Sequence, residues 1–117
     1  MGRASPPEMP VRFYCSETGR EPVREWLHGL NEGDRRAIGL DLMRVQFGWP
    51  IGMPLVRSLG RDLWEVRSSL LHGRIARVLF CVERECMVLL HGFIKKTQKT
   101  PQHEIDLALK RKRGTAL

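Results

Sequence analysis

Apolar and polar positions recur with two different periods along this chain and divide it into helical and extended blocks. "VRFYCS" (11–16) alternates and is rich in aromatic and β-branched residues, which predicts a strand. "SETGRE" then turns the chain, and Pro22 suits a first helical position. Val23, Trp26, Leu27 and Leu30 follow at i, i+3, i+4 and i+7, one face of a helix. "NEGD" breaks that pattern, with Asp34 placed to cap a second helix whose stripe is Ile38, Leu42, Val45 and Trp49. So short a break predicts an antiparallel helical hairpin. Two prolines and two glycines in "GWPIGMP" (48–54) stop it.

The next blocks read as strands: "LVRSL" (55–59), "LWEVRSS" (63–69), "RIARVLFCVE" (74–83) and "CMVLLHGFI" (86–94). Their connections are short, which favours antiparallel neighbours. A last helix opens at Thr100 as cap and Pro101 in the first turn, carries Ile105, Ala108 and Leu109 as a narrow stripe, and ends in "KRKR" (110–113). The predicted architecture is one α+β domain over residues 1–117: an antiparallel twisted sheet packed on the N-terminal helical hairpin, with a C-terminal helix. Residues 1–10, "MGRASPPEMP", read as a flexible lead without the apolar core of a secretion signal.

Length agrees with this picture, since 117 residues suffice for one domain with a real core and are too few for two domains. No apolar run approaches the roughly 20 residues that a membrane helix needs, so no membrane partner is expected. Three cysteines in apolar strand contexts predict reduced thiols in a cytoplasmic protein. Four scattered histidines and no paired ligand spacing predict neither a metal nor any other cofactor.

Charge changes the picture more. Residues 1–56 hold seven arginines against seven acids, whereas residues 57–117 hold thirteen bases against six acids. The net +7 is therefore confined to the strand-rich half, which points to a polyanion such as nucleic acid. Alternation places Trp64 and Val66 on one sheet face with Ala76, Val78, Phe80 and Val82, where the helices should pack. Arg67 and Arg77 then stand on the opposite face, expected to be open, where a planar guanidinium pair can grip one phosphate. Arg74 falls either on the apolar face or in the preceding turn.

Three of the five lysines, Lys95, Lys96 and Lys99, lie where the last strand hands over to the last helix. A strand end followed by a helix N-terminus is an anion site, and like charges lower a lysine's affinity for its proton toward a range useful for proton transfer. His91, expected on one strand face with Leu89 and Phe93, is either an acid–base group or a packed histidine.

In order and with short spacers, "LWEVRSS", "RIARVLF", "LLHGFIKKTQKTP" and "EIDLALKR" resemble the RelE/HigB superfamily of bacterial toxins, in particular its phage-derived branch. The resemblance spans about residues 55–113 and implies a RelE-like fold. It also implies the toxin of a type II toxin–antitoxin system, a ribosome-dependent mRNA endonuclease that inhibits translation. Its partners would be mRNA, the ribosome and a cognate antitoxin, a small helix-turn-helix DNA-binding protein. Such enzymes need no metal: the RNA 2′-hydroxyl attacks the scissile phosphate. The resemblance carries the catalytic set onto Arg67, Arg77, Lys95, Lys96 and Lys99, with one lysine left unspecified for proton transfer. Arg74, His91, Lys110 and Arg111 are the accompanying RNA-binding candidates. Other branches place a tyrosine, histidine or aspartate near the end of the last strand, whereas Tyr14, in the first strand, is the only tyrosine here. A gyrase-inhibiting toxin of the same fold, like ParE, and a non-catalytic RNA- or ribosome-binding module are the alternatives.

Overall fold

A computed structural model describes residues 8–115. Along the chain come β1 (Val11–Phe13), α1 (Pro22–Gly29), α2 (Glu32–Gly48), β2 (Val56–Gly60), β3 (Leu63–Ser69), β4 (Ile75–Glu83), β5 (Cys86–Lys95) and α3 (Gln102–Thr115). The five strands form one sheet in the order β1-β5-β4-β3-β2. Pairs β2–β3, β3–β4 and β4–β5 are antiparallel, as the short connections predict. The β2–β3 and β4–β5 turns are centred on Arg61–Asp62 and Arg84–Glu85, all four at positive φ, the backbone that two-residue hairpins require. The first strand departs from an all-antiparallel sheet, because β1 pairs in parallel with β5 at the edge.

Helices α1 and α2 cover the face predicted to be apolar. Val23, Ile38, Leu42 and Val45 pack on Val66, Ala76, Val78 and Phe80. Trp49, just past α2, meets Trp64 edge-on at 5.1 Å. Trp26 lies against the backbone of Gly92, where any Cβ would collide with its ring. The cap of α2 is Asn31, whose side chain accepts from the Asp34 N–H at 2.8 Å, and not Asp34 itself.

The second face is not open, which corrects the expectation that all helices share one side. Leu63, Leu79, Cys81, Val88 and Leu90 are buried there beneath Ala108 and Leu109 of α3. β4 and β5 are apolar on both faces, the mark of strands covered on both sides. Each fully buried leucine contributes about 1.5–3 kcal/mol.

Residues 8–10 are not a loose lead either. The Met9 N–H donates to Gln46 O at 3.0 Å, and Pro10 O accepts from the Met87 N–H at 2.8 Å. Residues 1–7 of the expected lead lie outside the described residues. Among the described residues no helix is long and apolar enough to cross a membrane.

Candidate functional site

On the α3 side of the sheet, strand register sets out three rows of residues. Arg67, Arg77 and Phe93 stand side by side on β3, β4 and β5. On one side of them lie Glu65, Leu79 and His91, and on the other Ser69, Ile75 and Lys95. A register shift makes this possible. Phe80 pairs with Leu89 but Leu79 with His91, so Leu90 is an extra residue in β5. This bulge separates His91 from Leu89, which belongs to the opposite core, and corrects their expected common face. Arg111 of α3 donates to the Leu90 carbonyl at 2.9 Å and sets its guanidinium 5.5 Å from the Tyr14 ring centroid. It ties α3 to the bulge.

Beyond Lys95 the chain crosses the sheet from β5 toward β3, and the two arginines hold it there. Arg77 donates to Lys95 O at 3.1 Å and to Thr97 O. Arg67 donates to Gln98 O at 2.7 Å, and the Thr100 hydroxyl donates to Glu65 instead of capping α3. Arg77 is therefore 0% exposed, not a group on an open face. Burial, and then the neighbouring Arg67 charge, weaken its hold on its proton, with Glu65 opposing. Arg67 remains at the rim, its side chain 16% exposed and 3.7 Å from Glu65.

At the other end of the loop, Glu104 in the first turn of α3 gathers the remaining groups. Its carboxylate meets His91 Nε2 at 2.6 Å, Lys95 Nζ at 3.4 Å and His103 Nε2 at 3.6 Å. Burial pushes this carboxyl up, but hydrogen bonding and charge from His91 and then Lys95 outweigh it and hold the group below the ordinary carboxylate range. The Phe93 ring lies between the cations, 5.7 Å from the Arg77 guanidinium and 5.8 Å from Lys95 Nζ. Lys96 and Lys99 are exposed, and neither side chain has an ion pair with a described residue.

The structure thus brings Arg67, Arg77, Lys95, Lys96, Lys99 and His91 to one corner of the sheet. The other candidates lie elsewhere. Arg74 forms a two-pronged pair with Asp34, at 2.7 and 3.0 Å, and ties the β3–β4 turn to α2. Lys110 is exposed two turns further along α3, and Arg111 is engaged as described. Sequence reasoning missed Gln98 and Glu104. Glu104 had a signal, an acid in the first turn of the helix that the lysine loop feeds.

The corner supplies exposed cations beside a carboxylate that holds a histidine and a lysine. Such a set can bind a phosphodiester and move protons at it. The family model described as "Phage derived protein Gp49-like (DUF891)" matches residues 25–113, from within α1 almost to the end of α3. No curated protein matches the chain.

Proposed function

The chain belongs to the phage-derived Gp49-like family, and from that premise we propose that it is the toxin of a type II toxin–antitoxin system, a cytoplasmic ribosome-dependent mRNA endonuclease of the RelE/HigB kind. One observation carries the reading: the loop that presents Lys96 and Lys99 is anchored beside a carboxylate shared by His91 and Lys95. Its partners are mRNA, the ribosome and a cognate antitoxin with a helix-turn-helix fold.

In this reading the scissile phosphate sits on the outer side of the 96–99 loop. Attack by the 2′-hydroxyl on phosphorus releases one proton and builds negative charge on the phosphoryl oxygens. Lys96 and Lys99, joined by Arg67 at the rim, stabilise that charge. The P–O5′ bond then breaks, the 5′-oxygen takes up a proton, and a 2′,3′-cyclic phosphate and a 5′-hydroxyl remain. His91 and Lys95 are two proton carriers within reach of one orienting carboxylate. Arg77 acts through the loop carbonyls and does not touch the phosphate, which revises the role that the resemblance gives it.

Induction in growing bacteria tests the class of activity. The proposal expects mRNA cut within translated regions, with 5′-hydroxyl ends and intact chromosomal DNA. DNA breaks with intact mRNA would make it a gyrase poison, and growth arrest with neither would leave a non-catalytic binding module.

A further inference from the structure

On the side of the sheet away from the lysine corner, α1, α2 and the end of β1 enclose a cavity of about 240 Å³. Two helical rows form its walls. Arg24, Leu27 and His28 fall at i, i+3 and i+4 on α1, and Arg35 and Gly39 at i and i+4 on α2. Phe13 of β1 closes the third side, packed against the core beneath the hairpin. Its side chain and that of Leu27 are only half-buried, and Phe13 has no ring partner among the described residues.

Gly39 helps to keep this space open. A glycine inside a helix is destabilising relative to alanine, because it loses more backbone entropy on folding. At Gly92 the missing Cβ has a packing reason, since Trp26 occupies its place. Gly39 has no such reason, because a Cβ there would meet nothing within 4 Å. It lines the cavity, so a longer side chain at this position would narrow it.

The polar rim is cationic. Arg35 uses Nη1 on the His28 and Leu30 carbonyls, at 3.4 and 2.9 Å, and its other guanidinium nitrogens have no acceptor among the described residues. Arg24 has one exposed pair, with Glu21 at 3.2 Å, which an incoming anion replaces at little cost. His28 adds an imidazole that has no polar partner among the described residues. No acid lines the cavity. Two guanidiniums beside an unpaired ring and a leucine suit a flat apolar body that carries one negative group. Pockets for drug-sized ligands run from about 300 Å³ upward, so this smaller one takes a body of one or two rings.

We infer that the cavity binds a small aromatic carboxylate, its ring against Phe13 and Leu27 and its carboxylate between Arg24 and Arg35. The cavity and the RNA corner share no residue and lie on opposite faces of the sheet, so the inference is independent of the nuclease reading. A bound ligand would join both helices of the hairpin to β1 and stabilise the fold by mass action.

The probe is 2-naphthoate, with naphthalene-2-carboxamide as its uncharged counterpart and octanoate as a chain-like anion. Each is titrated onto the isotope-labelled full chain and followed by amide NMR shifts. 2-Naphthoate should give saturable shifts centred on Phe13, Leu27, His28 and Gly39, with half-saturation at or below about 1 mM, and should raise the thermal unfolding temperature. The carboxamide should bind about tenfold more weakly, and octanoate should also bind less well. Gly39→Leu should lose binding while unfolding at no lower temperature than the wild type, because leucine favours a helix more than glycine does. Arg24→Gln, at an exposed position, should weaken binding by about threefold or more and carries the test should Gly39→Leu fold poorly. Equal binding of the carboxamide, or equal binding of 2-naphthoate by either folded variant, overturns the inference. So do shifts that never saturate, shifts centred on residues 96–99, and tighter binding of octanoate, which would give the cavity to alkyl-chain anions.

Discussion

Arg67 and Arg77 face each other across β3 and β4, and both guanidiniums are turned onto carbonyls of the lysine loop. Two like charges side by side under a loop are costly unless each has acceptors. Here Lys95, Thr97 and Gln98 supply them, with Glu65 between the arginines and Thr100. Carbonyls drawn inward leave the lysine side chains to the outer surface.

Arg77→Ala removes the buried end of this arrangement and leaves loop carbonyls unpaired, so it should cost about 2–4 kcal/mol. Lys96→Ala and Lys99→Ala, at exposed positions, should change stability by no more than about 0.5 kcal/mol. Urea denaturation measures both, and amide hydrogen exchange should show residues 96–99 opening first in Arg77→Ala. Equal stability of Arg77→Ala and the wild type would contradict a positioning role.

The low pKa of Glu104 has a pH signature. Its stabilisation is complete above the unfolded-chain value of about 4.3 and is lost as pH falls through the lower folded value. The wild type should therefore lose stability more steeply than Glu104→Gln between about pH 5 and pH 3, and the two should converge at the acid end. Urea midpoints across that range decide it, and parallel curves would detach Glu104 from His91 and Lys95.

Arg74→Ala separates an architectural arginine from an RNA-binding one. It breaks the pair with Asp34, whose carboxyl the Arg74 hydrogen bonds hold down against burial. Thermal unfolding should occur at lower temperature, while oligoribonucleotide affinity and its salt slope stay as in the wild type. A reduced salt slope would return Arg74 to the RNA surface.

Gly92→Ala puts a methyl group into the Trp26 ring, with backbone on one side and the helix layer on the other. Overpacking of this kind costs about 1–3 kcal/mol, read as a lower urea midpoint. Trp26→Leu in the same chain should recover part of the loss.

Much of this fold was legible because period alone reports which face is buried. The stripes of α1 and α2 and the alternation of β3 and β4 give element type, order and the first core. Three features left weaker traces. Type I′ turns usually advertise themselves with glycine or asparagine, yet Arg61–Asp62 and Arg84–Glu85 carry none. The Leu90 bulge inverts the facing of His91, and a single inserted residue is invisible to an alternation count. The side chosen by α3 depends on Leu79, Cys81, Val88 and Leu90, apolar residues that periodicity assigns to a face without saying what covers it. At the site, residue identity located Arg67, Arg77 and the lysines together. Only the path of the 96–99 loop shows that Arg77 lies beneath it and Lys96 and Lys99 lie outside.

The most direct measurement is cleavage of a defined mRNA on purified translating ribosomes by the wild type and by the Lys96→Ala, Lys99→Ala double variant. The wild type should leave 5′-hydroxyl fragments within the coding region, and the double variant, equally stable, should leave none above background. Full cutting by the double variant, or intact mRNA with the wild type, would contradict the account.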